Sequence, residues 1–136
     1  MAFDISSIAL QDTAEMQLVH PVTGDVLFDG TEDKPVTFTL AGVSSQKYRK
    51  AVDAMLRSQN KRGKREASPD ERRDESNTFL AALSIKVENM EYDGEPVSTL
   101  ESFKALYADE SLGWIKAQVN DFLGSTEAFL KPQKKI

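Results

Sequence analysis

The side chains in this chain that could do chemistry are a lone histidine, a run of carboxylates and a short basic cluster. His20 is the only histidine and the chain has no cysteine. A zinc site normally needs three or four nitrogen or sulfur ligands, so none is expected, and His20 reads as a turn-flanking residue before Pro21. Asp70, Glu71, Asp74 and Glu75 crowd together beside Arg72 and Arg73. That is the pattern of a solvated helix start, where the macrodipole and near-neighbour ion pairs favour acidic groups. General acid–base work instead needs carboxylates in a cleft with displaced pKa values. The serines have no following histidine to activate them. Gly24, Gly30 and Gly42 are scattered and form no phosphate loop. Asp93-Gly94, between Tyr92 and Pro96, is too short a stretch for a calcium loop. No catalytic residue, cofactor or metal is therefore expected. Lys61, Arg62, Lys64 and Arg65 would suit phosphate or an acidic partner, but no aromatic residues interleave with them.

The elements that would carry these groups can be read in order. Phe3, Ile5, Ile8 and Leu10 alternate only partly, so residues 1–14 are expected as a flexible arm. From Glu15 to Leu40 the pattern is β. Met16, Leu18 and His20 alternate with Gln17 and Val19, Pro21 to Asp25 supply a turn, and Val26-Leu27-Phe28 reads as a returning strand. Val36-Thr37-Phe38-Thr39-Leu40 is the clearest strand, with Val36, Phe38 and Leu40 facing the core. A two- or three-stranded antiparallel meander follows, which needs a helix to cover it.

Ser44 or Ser45 caps a helix of about three turns bearing Tyr48, Ala51, Val52, Met55 and Leu56. Residues near 59–68 read as a charged linker. Ser68, Pro69 and Glu71 then make a capping box with proline at the first helical position. The helix that starts there is expected to run on through Phe79, Leu80, Leu83 and Val87. The other reading is a switch to strand over Ser84 to Glu91, because Ile85 and Val87 alternate with polar residues. Asp93-Gly94 marks a turn and Pro96 stops any helix. Ser98 and Glu101 read as a second capping box, opening a helix with Leu100, Phe103, Leu106 and Tyr107 on its apolar face. Asp109 or Ser111 caps a second helix bearing Leu112, Ile115, Val119, Phe122 and Leu123, with Gly124 at a left-handed C-terminal position. The two helices form an αα-hairpin. A last turn with Phe129 and Leu130 precedes a tail, 131–136, expected to be disordered. The fold class is thus α+β: an N-terminal antiparallel meander, then a mainly helical C-terminal part, in one domain over 15–130.

Composition bounds the function. At 136 residues with 40% hydrophobic and 29% charged side chains, the chain supports one modest core. No apolar run approaches the ~20 residues of a membrane-spanning helix, and Met1-Ala2-Phe3-Asp4 does not start like a secretory signal. A formal net charge of −5 disfavours general nucleic-acid binding.

The stretch from Phe79 to Leu130 resembles the tail assembly chaperones of long-tailed bacteriophages. The resemblance is carried by Ala81-Ala82-Leu83 with Val87-Glu88-Asn89-Met90, and by the acidic turn Tyr92-Asp93-Gly94-Glu95-Pro96-Val97. It continues in the helix entry Thr99-Leu100-Glu101-Ser102-Phe103 and in Leu106-Tyr107 before an acidic gap. It closes on Trp114-Ile115, Gln118-Val119, Phe122-Leu123 and Phe129-Leu130. It covers about fifty residues well and the N-terminal half loosely. Family members often carry a Trp just before the acidic turn, where this chain has Val87 or Met90.

The resemblance implies a non-catalytic protein of the host cytoplasm, absent from the mature virion. Such a protein binds and solubilises the tape measure protein and recruits the tail tube protein. Self-association is left open, and no membrane partner is implied. A frameshifted longer product is common in the family, and Lys134-Lys135 is compatible with one. On this reading Phe103, Tyr107, Trp114 and Phe122 line or support a groove for a partner helix; by spacing alone Phe103 reads as core, and Trp114 sits one position off the Ile115 stripe. Two other readings stand beside it: a structural tail or connector protein of the virion, and a small nucleic-acid-binding regulator acting through Lys61 to Arg65.

Overall fold

Phe38 and Leu40 are completely buried, and the rest of the domain is assembled around the strand that carries them. In the computed structural model, which describes residues 2–130, that strand is β2 (Thr37–Ala41). It is the middle of a three-stranded antiparallel sheet, flanked by β1 (Thr13–Gln17) and β3 (Ser84–Glu88). The registers place Met16 and Val87 on either side of Phe38. Because side chains alternate along a strand, Met16, Phe38 and Leu40 point to the core while Glu15, Thr39 and Lys86 share the other face. Lys86 bonds Glu88 there at 2.9 Å.

The α+β class and the antiparallel N-terminal sheet agree with the sequence reading, but the sheet is composed differently. Thr13 and Ala14, expected in the arm, already belong to β1. Val26 to Phe28 form no full strand: Val19 pairs once with Val26, and Phe28 once with Pro35. Leu27 is held between Leu18 and Val36 by backbone hydrogen bonds of 3.0 and 2.8 Å. The third strand comes from residues 84–88, where a continued helix was expected. The Ser84 hydroxyl bonds back to the Leu80 carbonyl at 2.8 Å and ends the helix. Residues 84–88 then cover the open edge of β2, with Val87 opposite Phe38, Ser84 opposite Leu40, and Ile85 left without a partner at the register shift between Thr39 and Leu40.

Four helices follow or cover the sheet. α1 (Gln46–Arg62) is capped by Ser45, whose hydroxyl accepts from the Tyr48 N–H. It is nearly two turns longer than expected and takes up the start of the predicted linker. Lysine, arginine and glutamine are good helix formers, and Lys61 and Arg62 in the last turn suit the dipole. Arg62 also pairs with Glu75 of α2 (Pro69–Leu83). The linker proper is only residues 63–68, opened by Gly63 at φ 70°. Ser68 and Glu71 make the expected capping box.

A tight hairpin, β4 (Glu91–Tyr92) and β5 (Glu95–Pro96), turns at Asp93 and Gly94, both at positive φ. α3 (Leu100–Ala108) is capped by Thr99 with Ser102, one residue later than the Ser98 and Glu101 pair expected, because the Ser102 hydroxyl reaches the Thr99 N–H at 2.8 Å. Asp109 caps a short 3-10 turn leading into α4 (Gly113–Leu123). Gly124 is right-handed at φ −80°, not left-handed, and the chain continues as a turn into a 3-10 segment ending at Phe129. Residues 131–136, expected as a disordered tail, lie outside the described residues.

One core joins sheet and helices, with Met16, Leu18, Val36, Phe38 and Leu40 packed on Leu80, Phe103, Leu106, Tyr107, Ile115 and Val119. A smaller cluster of Ala41, Ala51 and Leu83 holds α1 to α2, closed by an edge-to-face contact between Tyr48 and Phe79 at 5.5 Å. Among the described residues no helix is long and apolar enough to cross a membrane.

Candidate functional site

The four aromatic residues singled out in the sequence are divided by the fold. Phe103 and Tyr107, one helical turn apart on α3, stack at 6.3 Å and are 1% and 4% exposed, so they are core. The Tyr107 hydroxyl lies 2.6 Å from the Ser84 hydroxyl. Since the Leu80 carbonyl can only accept, Ser84 donates to it and Tyr107 donates to Ser84. Burial pushes the Tyr107 phenol up to about 12, with the Ser84 bond opposing. Trp114 and Phe122 are half-buried and pack against the core from α4. Phe122 also meets Phe129 edge-on at 5.4 Å. The hairpin aromatics thus support the fold from within, and only Trp114 and Phe122 keep partial access to solvent.

His20 organises a turn. Its Nδ1 accepts from the Val22 and Thr23 N–H groups at 3.1 and 3.3 Å, while the His20 backbone N–H donates to the Asp25 carbonyl at 2.8 Å. Among the described residues no group of three or more histidine, aspartate or glutamate side chains is arranged to hold a metal ion. Of the basic cluster, Arg62 pairs with Glu75, and Arg65 makes a two-point contact with Glu71 at 2.7 and 2.8 Å. That contact, with the Ser68 N–H, holds the Glu71 carboxyl at about 2. Two of the four basic residues are therefore committed to α2.

Two clefts remain. A polar one of about 520 Å3 lies between the first half of α2 and the α3–α4 junction, lined by Asp70, Arg73, Asp74, Asn77 and Lys116 among others. Asn77 is buried there and its Oδ1 has no hydrogen-bond partner, while desolvation lowers the Lys116 pKa. The other, of about 440 Å3, opens between α1, the α2–β3 joint and the start of α3. Ala51, Ala54, Ala82 and the buried Phe103 make its floor, and Ile85 and Leu100 stand exposed at its sides. Lys47 and Lys50 sit on its rim, and no carboxylate lines it. Small alanines on two packed helices leave the hollow, and the strand switch at Ser84 turns Ile85 toward its edge. Trp114 and Phe122 border neither cleft.

Ile85 and Leu100 were not singled out as contact residues in the sequence. Leu100 looked like an ordinary member of the apolar face of α3, and Ile85 gains its place only when residues 84–88 are a strand. Gln118 was also missed. Its side-chain amide bonds both the N–H and the carbonyl of Val19, at 3.1 and 2.8 Å, and ties α4 to the irregular strand extension.

No family model, curated protein or solved structure matches the chain.

Proposed function

We propose that this protein is a non-catalytic phage tail assembly chaperone. It binds the tape measure protein through the cleft between α1, β3 and α3, keeps it soluble, and recruits the tail tube protein. The observation that carries the reading is the open, alanine- and phenylalanine-floored cleft with Ile85 and Leu100 exposed beside it. An amphipathic helix binds such a groove by inserting apolar side chains from one face. Lys47 and Lys50 at the rim suit acidic residues flanking that face. The resemblance of residues 79–130 to the chaperone family supplies the identity of the partner. The contact surface differs from the one the sequence suggested: Phe103 contributes as a floor, Tyr107 supports from the core, and Ile85 and Leu100 make the direct contact.

The test is co-expression with the tape measure protein encoded beside this chain. The natural chain keeps that partner in the soluble fraction, and the double variant Ile85→Ser/Leu100→Glu, altered only at exposed positions, does not, while retaining its circular dichroism. A partner equally soluble with both forms, or insoluble with both, refutes the reading. Mass spectrometry of purified particles separates it from a structural tail protein, since the chaperone is absent from them.

A further inference from the structure

Charge is divided along this chain in a way that its net value hides. The first 33 residues hold seven carboxylates and no lysine or arginine. Between Lys47 and Arg65 there are eight basic residues and one carboxylate, Asp53. Arg62 and Arg65 are taken up by α2, but Lys47, Arg49, Lys50, Arg57, Lys61 and Lys64 make no ion pair among the described residues.

The acidic end also carries the most exposed apolar side chains of any short segment. Phe3 is 73% exposed, Ile5 70% and Ile8 40%. Asp4 folds this arm into a single 3-10 turn, accepting from the Ser6 N–H at 3.1 Å. Ile5 and Ile8, three residues apart in that turn, fall on one side of it. The base of the arm is fixed to the body: Gln11 donates to the Phe129 carbonyl at 2.7 Å and accepts from the Ser44 hydroxyl at 3.2 Å, and Leu10 pairs with Leu130. Beyond that base the arm makes only local hydrogen bonds, and it leaves the cleft of its own molecule open.

We infer that the N-terminal arm docks into the α1–β3–α3 cleft of a second copy of this chain. Phe3, Ile5 and Ile8 meet the alanine floor with Ile85 and Leu100, and Asp4 meets Lys47 and Lys50. Phe3, Ile5 and Ile8 on the arm and Ile85 and Leu100 beside the cleft all stand exposed in the single chain, and the arm's one carboxylate beyond its base, Asp4, is opposite in sign to the two rim lysines. Each copy carries one arm and one cleft, so the contact is heterologous, and two copies can close it by exchanging arms. The contact requires nothing of the tape measure protein, so it is measured on the chain alone, independently of the solubility test above. In the cell it would cover the cleft until a partner displaces the arm.

Sedimentation velocity of the full chain over a concentration series tests this. The mass rises from monomer toward dimer with concentration. The dissociation constant increases on going from about 0.1 M to about 1 M salt, which shortens the Debye length from about 10 Å to about 3 Å. The arm variant Phe3→Ser/Ile5→Ser and the rim variant Lys47→Glu/Lys50→Glu each weaken self-association about tenfold or more, as expected for loss of anchor residues. An equimolar mixture of the two variants associates again, because the intact arm of one enters the intact cleft of the other. A chain that stays monomeric at every concentration overturns the inference. So does self-association that is unchanged in either variant, or a mixture that remains monomeric.

Discussion

Replacing Ser84 by alanine should destabilise the protein more than replacing Tyr107 by phenylalanine, although it removes only one oxygen of the same hydrogen-bonded pair. In the chain Tyr107 O–H to Ser84 Oγ to Leu80 carbonyl, with contacts of 2.6 and 2.8 Å, every group is buried. Tyr107→Phe deletes the terminal donor and leaves the Ser84 proton on Leu80, which costs about 0.5–1.5 kcal/mol. Ser84→Ala instead strands the Tyr107 hydroxyl without an acceptor and deprives the Leu80 carbonyl of its side-chain donor. Each orphaned group costs about 1–3 kcal/mol. The double variant removes the stranded hydroxyl, so its loss should fall short of the sum of the single losses by about 1 kcal/mol.

Burial of the same phenol, against which the Ser84 bond works, predicts a pH effect with a definite sign. Below the ordinary tyrosine value of 10 both folded and unfolded chains keep the phenol proton. Between 10 and about 12 the unfolded chain ionises Tyr107 and the folded one does not, so stability falls as pH rises through that window. The loss reaches about 3 kcal/mol at the top of that window. Urea denaturation followed by far-ultraviolet circular dichroism, at neutral pH and along the alkaline limb, measures both effects. Tyr107→Phe should lose this part of the alkaline decline, while contributions from other groups are common to both proteins and cancel. A Ser84→Ala cost no larger than that of Tyr107→Phe, additive losses in the double variant, or an unchanged alkaline limb would refute the reasoning. The result matters for function because Ser84 and Phe103 border the proposed docking cleft, and this bond holds the α2–β3 joint to α3.

Three further expectations concern the supports of the fold. A Cβ added at Gly42 would lie 2.6 Å from the buried Phe129 ring, so Gly42→Ala should displace that ring and cost about 1–3 kcal/mol, seen as a lower urea midpoint. Gln118→Leu should cost about 1–3 kcal/mol by leaving the Val19 N–H and carbonyl without their partner, with faster amide exchange at Val19 as its local signature. The Glu71 carboxyl is depressed to about 2, so the order it gives the first turn of α2 is complete above its ordinary value of 4.5 and is lost as pH falls toward 2. The Ser68 and Glu71 amide shifts should titrate across that window in the natural protein and not in Glu71→Gln, with little change in global stability because the pair is exposed.

Local chemistry announced itself in the sequence wherever neighbouring residues suffice to decide it. Ser68, Pro69 and Glu71 start α2 as their types require. Asp93 and Gly94 turn the β4–β5 hairpin. The alternation of Val36, Phe38 and Leu40 marks the central strand and its buried face. His20 was legible as a turn residue because it stands directly before Pro21 and the turn that ends at Asp25. These outcomes depend on backbone preferences and on periods of two or 3.6 residues, which a chain carries within a few positions.

What the sequence left undecided depended on partners far along the chain. Ile85 and Val87 can join a helix or a strand, and the open edge of β2, more than forty residues earlier, decides for the strand. The basic end of α1 could stand as linker or helix, and Glu75 on α2 holds Arg62 in the helix. Gln118 finds Val19 across 99 positions. The division of the aromatics follows the same rule: helical spacing puts Phe103, Tyr107, Trp114 and Phe122 on apolar faces, but burial depends on what packs opposite. Only the packing of α1, β3 and α3 creates the cleft, because a hollow exists between elements and belongs to none of them.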